Sequence, residues 1–193
     1  MIWQGTSLID DSVASHPVIA ESSDDSITFG EHTLRVVSPR PTHYRAVHTG
    51  TGEEYALRKT SITVTRYTAN CGERTYIANR VIADSFASIF SSRREIRAVN
   101  LEAFGSTGPD YDISATNAPG TYAHTEPSPD AAELGGIAAD PNASAVVART
   151  AGKATGDLEL SPVVAFDDPV ALDLVFISWA LTFVDTPSRR TLY

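Results

Sequence analysis

The segment VALDLVFISWALTFVD, residues 170–185, constrains the fold of this chain more than any other part of its sequence. Between Val170 and Val184 the only charged residue is Asp173, and beyond it a helix would be apolar on every face apart from two hydroxyl groups. A helix that is apolar all round must be buried all round, in a large protein core or in a bilayer. The sequence therefore predicts a helix that its surroundings enclose completely.

The residues that flank this segment place the helix at 168–185. Asp168 suits the N-cap position, where a carboxylate accepts hydrogen bonds from the free N–H groups of the first turn. Pro169 suits the first helical position, because its missing N–H would be unpaired there anyway. Thr186-Pro187 ends the helix, since the residue before a proline disfavours helical backbone angles.

The length of the apolar span distinguishes a protein interior from a bilayer. Pro169 to Val184 is 16 residues, or roughly 24 Å at the α-helical rise, whereas a transmembrane helix needs about 20 apolar residues. We therefore expect no transmembrane segment and a helix that the strands of the same chain enclose. A helix lying on a β-sandwich and a tail anchor entering the bilayer are the alternatives.

The chain from Ser26 onward contains short β-type runs separated by turns. HYRAVH and YALRK flank the glycine-containing turn 49–53, which is a hairpin signal. SITVTRYTA, residues 61–69, alternates apolar with polar residues at the period of a half-buried strand. About twelve such runs have the spacing of an antiparallel barrel or sandwich. With the enclosed helix they predict a mainly β fold, a closed antiparallel barrel of about twelve strands around a hydrophobic C-terminal helix.

The same pattern predicts the domain organisation. The chain has 193 residues, and residues 26–193 are predicted to form a single domain. Residues 1–25 are predicted to form a loosely held N-terminal arm. The stretch 102–148 contains five of the eleven prolines and no Lys or Arg, so its strand pairing is not assigned.

The chain lacks the residue patterns of common catalytic and metal sites. Cys71 is the only cysteine, which excludes an intramolecular disulfide and a multi-cysteine zinc site. The five histidines show neither an HxH nor an HExxH spacing. Residues 105–108, GSTG, do not form the GxSxG pattern of a nucleophile elbow. We therefore expect a protein that is not an enzyme and that uses no metal or cofactor.

Charge is distributed unevenly along a chain whose formal net charge is −9. This acidic balance argues against nucleic acid as a partner. Residues 35–97, in contrast, contain eleven basic and five acidic residues. Guanidinium groups bind phosphate bidentately, so this stretch supplies the candidate lipid- or anion-binding residues. They are Arg58, Lys59, Arg66, Arg74, Arg93 and Arg97.

Strand geometry limits which of these side chains act together. Neighbouring residues of a strand point to opposite faces, so Arg58 and Lys59 cannot share a face without a bulge. Arg93 and Arg97 can share one. The alternative interpretation is a solvated basic surface that pairs with the acidic parts of the same chain.

Two parts of the sequence are similar to those of a known superfamily. The ending FDDPVALDLVFISWALTFVD has an acidic-proline entry followed by an aliphatic helix. The hairpin series HYRAVHTGTGEEYALRK and ITVTRYTANCGERTYIAN repeats a strand, a glycine turn and a strand that presents Arg or Lys. Over residues 26–185 the chain thereby resembles the tubby C-terminal-like superfamily, which includes the tubby, phospholipid scramblase and LURP-one-related families.

The resemblance implies a twelve-stranded antiparallel barrel threaded by a hydrophobic helix, and a role at membranes. Tubby domains bind phosphoinositide headgroups through basic side chains on the barrel, and scramblases are associated with phospholipid movement. The LURP-one-related branch, which this chain most resembles, has no assigned chemistry. The expected function is a non-enzymatic binding or scaffold domain that docks on anionic phospholipid or on a protein partner.

The N-terminal sequence bears on location. MIWQGTSLIDDSV has no basic region and no long apolar run, so it does not have the pattern of a secretory signal. We therefore expect a cytoplasmic protein that lies at the membrane periphery when it docks. The alternative function is a small β-barrel enzyme or small-molecule binder with a site in the 105–140 loops.

Overall fold

The structure is a computed structural model that describes residues 1–40, 42–61, 66–81, 92–99, 144–167 and 169–186. Within these residues twelve antiparallel strands form a closed barrel, and one helix follows the last strand. The strands are β1 (Ile2–Gln4), β2 (Ser7–Ile9), β3 (Val18–Ser22), β4 (Ser26–Phe29), β5 (His32–Arg40), β6 (His43–His48), β7 (Glu54–Lys59), β8 (Arg66–Cys71), β9 (Arg74–Arg80), β10 (Arg93–Val99), β11 (Ser144–Gly152) and β12 (Leu158–Pro162). The helix is α1 (Val170–Asp185). The predicted fold class is confirmed.

The first strand closes the barrel. Each strand pairs with the next along the chain, and β1 pairs with β12 through Ile2 opposite Glu159 and Trp3 opposite Leu158. The prediction of a loosely held arm at residues 1–25 is therefore wrong, because this segment supplies β1, β2 and β3. Trp3 and Leu8 are both buried, so these short strands contribute large apolar side chains to the core.

The predicted hairpins are confirmed where they are described. β6 and β7 pair across the turn 49–53, and β8 and β9 pair across a turn that contains Gly72. Gly72 has a φ of +58°, a left-handed conformation that favours glycine. β8 is described from Arg66, so the first part of the predicted strand 61–69 lies outside the described residues. Because β1 to β3 were not predicted, the strand count of twelve is reached with partly different strands.

Helix α1 lies in the lumen of the barrel. β1 and β7 are half a circuit apart in the strand order. From β1, Trp3 donates its Nε1–H to Ser178 Oγ at 2.9 Å. From β7, Tyr55 packs edge-on against Phe176 with 5.6 Å between ring centroids. A helix that is contacted from opposite sides of a closed barrel is enclosed by it, and Trp179 accordingly is only 3% exposed.

The ends of α1 differ slightly from those predicted. Pro169 occupies the N-cap position rather than the first helical position, and its side chain makes no capping bond. Asp168, the predicted N-cap, lies outside the described residues. At the other end both the N–H and the hydroxyl of Thr186 donate to the Thr182 carbonyl. No helix in the described ranges is long and apolar enough to cross a membrane.

Candidate functional site

The two ends of the barrel carry different side chains, and α1 distinguishes them. We call the end where α1 begins the entry end; the turn 49–53 and the β8–β9 turn lie there. We call the end where α1 finishes the exit end; β5, β7 and β9 finish there too. Each end holds α1 by an ion pair with the barrel.

At the entry end the ion pair centres on Asp173, whose side chain is fully buried. Arg74 donates to its two carboxylate oxygens at 2.6 and 3.0 Å, and the Tyr76 hydroxyl donates to Oδ2 at 2.5 Å. Arg74 also donates to Glu53 Oε1 at 3.1 Å. Burial raises the pKa of Asp173 to about 6, and the bonds from Arg74 and Tyr76 oppose that rise. One guanidinium is thus shared by two carboxylates.

At the exit end the ion pair joins Asp185 to Arg94, and both side chains are fully buried. Arg94 donates through Nε at 2.6 Å and through Nη2 at 2.8 Å, and Arg80 lies 3.5 Å from the same carboxylate. An aspartate is unfavourable at a helix C-terminus, where the helix dipole is negative. The two arginines compensate both for that dipole and for the burial of the carboxylate.

The two aspartates of α1 are spaced like the two arginines at the ends of strand β9. Asp173 and Asp185 are roughly 18 Å apart along the helix. Arg74 and Arg80, at the two ends of β9, are roughly 20 Å apart along the strand. Because the two lengths match, β9 presents one arginine to each end of the helix.

The structure separates the six predicted anion-binding residues. Arg74 faces the lumen at the entry end, where its guanidinium is bonded to Asp173 and Glu53. Arg97 lies on the outer face of β10 and pairs with Glu95 at 3.1 Å. The other four lie at strand ends at the exit end: Arg58, Lys59, Arg66 and Arg93. The predicted alternation is confirmed, because the β7–β8 pairing has no register shift and Arg58 and Lys59 take opposite faces.

Three exposed arginines form what we call the basic rim: Arg40, Arg58 and Arg66, on the outer face of β5, β7 and β8 at the exit end. His43 on β6 stands directly between Arg40 and Arg58 in the strand register. Adjacent strands are about 4.8 Å apart, which places Arg40 and Arg58 roughly 10 Å apart. Arg66 is a diagonal neighbour of Arg58, at about 7–8 Å.

His43 orients the rim and does not add to its charge. Arg58 donates from Nε to His43 Nε2 at 3.0 Å, so this imidazole nitrogen accepts a hydrogen bond. Burial, followed by the charges of Arg58 and Arg45, lowers the pKa of His43. The histidine therefore stays neutral and fixes one guanidinium on the outer surface.

The rim arginines have no carboxylate partner among the described residues. Within the part of the chain that the structure describes, neither the rim arginines nor Lys59 form an ion pair, and none of their register partners is a carboxylate. By contrast, Arg45 pairs with Glu54 on the outer surface. Arg149 pairs with Glu95 there as well. The rim charges are therefore not neutralised by carboxylates of the described residues.

A cavity of about 260 Å³ opens at the entry end. Its lining residues are His32, His48, Thr51, Glu53, Tyr55, Pro169 and Leu172. This volume is below the range of about 300–1,000 Å³ typical of sites for drug-sized ligands, but it exceeds the roughly 150 Å³ that holds benzene in an engineered apolar cavity. The cavity can therefore hold a small molecule.

Hydrogen bonds orient both histidines of the cavity. His48 Nδ1 accepts from the backbone N–H groups of Gly50 and Thr51 at 3.2 and 3.0 Å, so the proton of His48 is on Nε2. That Nε2 lies 3.0 Å from His32 Nδ1, which must then be the acceptor. A metal at the facing nitrogens would have to displace this proton. Consistent with this, no group of three metal-ligating side chains is found within the described ranges.

Sequence reasoning missed Arg40, His43 and the cavity. Arg40 and His43 lie in the basic stretch 35–97, but their proximity to Arg58 depends on strand register. The inward orientation of Arg94 is the one feature of the two barrel ends that the sequence could have indicated. Arg94 shares its strand face with the apolar residues Ile96 and Ala98, and that face points inward. The alternative site in the 105–140 loops lies outside the described residues.

Comparison with protein-family models, with curated proteins and with solved structures finds no match to this chain. The fold and the geometry of its two ends are therefore the basis for a functional proposal.

Proposed function

We propose that this chain is a non-enzymatic binding domain of the tubby or LURP-one-related type that docks on anionic phospholipid surfaces from the cytoplasmic side. The basic rim is the docking surface. The single observation that supports this proposal is the group of exposed arginines, Arg40, Arg58 and Arg66, without a carboxylate partner in the described part of the chain. The barrel around a hydrophobic helix, which the sequence resemblance implies, supports the proposed kinship.

The expected affinity is modest. A basic residue near an anionic leaflet contributes about 1 kcal/mol, so the three rim arginines together contribute about 3 kcal/mol. This corresponds to a dissociation constant of roughly 6 mM. The net charge of −9 opposes approach of the rest of the molecule, so binding requires the rim to face the membrane.

Vesicle co-sedimentation tests the proposal. The protein should sediment with vesicles of phosphatidylserine and phosphatidylcholine at low ionic strength, and not with phosphatidylcholine alone. Raising the salt from about 0.05 to 0.5 M should release it, because exposed charges are screened over a few ångströms at high salt. Equal binding to both vesicle types, or none to either, would exclude this function.

The chain offers a matched control for the rim. Arg35 is exposed on β5, is without an ion pair within the described residues, and lies roughly 16 Å along the strand from Arg40. Arg58→Glu should abolish sedimentation, whereas Arg35→Glu, with the same change in charge, should reduce it only slightly. Equal losses from the two variants would show that net charge matters and that the rim does not.

A further inference from the structure

One residue that lines the cavity at the entry end, Tyr55, has a hydroxyl without a hydrogen-bond partner among the described residues. Tyr55 lines the cavity and is 1% exposed. No hydrogen bond joins its hydroxyl to another described residue, whereas Tyr76 on β9 donates its hydroxyl to Asp173. Burial, with the nearby charges of Asp173 and Glu53, raises the pKa of Tyr55, so the phenol keeps its proton. Because Tyr55 lines the cavity, its hydroxyl is available to a ligand there.

The charge around the cavity selects a cation. Glu53 lines it directly, and its Oε1 is bonded to Arg74, which is bonded in turn to Asp173. When Glu53 and Asp173 are both ionised, Arg74 neutralises only one of the two negative charges, so the net charge of this cluster is −1.

The oxygen atoms of the lining indicate the kind of cation. Glu53 Oε2, Tyr55 Oη and Thr51 Oγ1 belong to residues that line the cavity. Thr51 Oγ1 already accepts from the Glu53 backbone N–H at 3.3 Å, but a hydroxyl oxygen can accept a second bond, so each of the three atoms can accept from a ligand. Three acceptors match the three N–H donors of a primary ammonium group. Pro169 and Leu172 supply apolar wall for a short alkyl chain. We propose that the entry-end cavity binds a small primary alkylammonium ion, with its nitrogen at Glu53 and Tyr55.

Titration calorimetry with butylammonium chloride tests this site on the full chain. Butylammonium should bind at least about tenfold more tightly than tetramethylammonium, which has the same charge but no N–H donor. Butyrate, which has a similar size and the opposite charge, should not bind. Equal affinity for butylammonium and tetramethylammonium, or no heat from butylammonium, would overturn the proposal.

Two variants and a neighbouring control assign the binding to this cavity. Glu53→Gln should weaken butylammonium binding by about tenfold or more, because a hydrogen bond to a charged group is lost. Tyr55→Phe removes only the unpartnered hydroxyl, so it should fold and should weaken binding about threefold. Glu54→Gln alters the next residue, which pairs with Arg45 on the outer surface, and should leave the affinity unchanged. Equal effects of Glu53→Gln and Glu54→Gln, or no effect of Tyr55→Phe, would refute the assignment.

Discussion

The buried pair between Arg94 and Asp185 should be among the most sensitive contacts of the barrel. Both side chains are 0% exposed and share two hydrogen bonds of 2.6 and 2.8 Å. Arg94→Met removes the cation and leaves the carboxylate at the C-terminus of α1 with only Arg80, at 3.5 Å. Removing one partner of a buried ion pair costs about 3–5 kcal/mol. Since domains are stable by about 5–15 kcal/mol, this variant should lose roughly a third of its stability.

Arg97 provides the matched control on the same strand. It also pairs with a carboxylate, Glu95, at 3.1 Å, but its side chain is 31% exposed. Exposed ion pairs contribute about 0–1 kcal/mol, so Arg97→Met should change the free energy of unfolding by less than about 1 kcal/mol. Urea denaturation followed by tryptophan fluorescence measures both variants, because Trp3 and Trp179 are both buried against α1 or within it.

A double variant separates the lost pair from the lost packing. Asp185→Leu in the Arg94→Met background removes both charges, and an apolar pair of similar size is often as stable as the buried ion pair it replaces. The double variant should therefore recover most of the loss. If Arg94→Met costs no more than Arg97→Met, or if the double variant is the least stable of all, the reasoning about this pair is wrong.

Two further predictions concern α1. Trp179→Asp places an unpaired carboxylate in the lumen and should prevent folding, whereas Trp179→Phe should fold. Soluble yield and circular dichroism measure both outcomes. A Trp179→Asp protein that folds and unfolds cooperatively would contradict a dry lumen. Asp173 has a pKa of about 6 when folded and an ordinary value of 3.8, so the folded state binds its proton more tightly and stability falls as pH rises between these values. Relative to Asp173→Asn, the wild-type free energy of unfolding should fall by about 2.4 kcal/mol from pH 4 to pH 7. A constant difference, or one that rises, would contradict the raised pKa.

The enclosed helix could be predicted because its evidence is local. The absence of charge after Asp173 leaves no helical face for water, and the span is shorter than a transmembrane helix needs. The strands that alternate over six or more residues could be predicted for the same reason. Strand β1 could not be predicted in this way. Ile2–Gln4 is only three residues long, and its partner strand β12 begins at Leu158. Only the closed barrel therefore shows that β1 is a strand.

The ion pairs and the rim depend on contacts between distant parts of the chain. Arginine is usually a surface residue, so nothing local marks Arg74 and Arg94 as interior. Their carboxylate partners lie 99 and 91 residues further along the chain. The rim in turn requires the register of four strands, which brings Arg40 across His43 to Arg58. Sequence reasoning could name the basic stretch, but only register divides it into interior ion pairs and an exposed group.

The placement of the two proposed sites makes each a control for the other. The basic rim lies at the exit end and the cavity at the entry end, separated by the length of α1, which is 16 residues or roughly 24 Å. This exceeds twice the Debye length of about 10 Å at 0.1 M salt, so a charge changed at one end is hardly felt at the other. Glu53→Gln should therefore leave vesicle binding intact, and Arg58→Glu should leave butylammonium binding intact. A variant that alters both must act through the fold, because the shared element, α1, is held by separate ion pairs at its two ends.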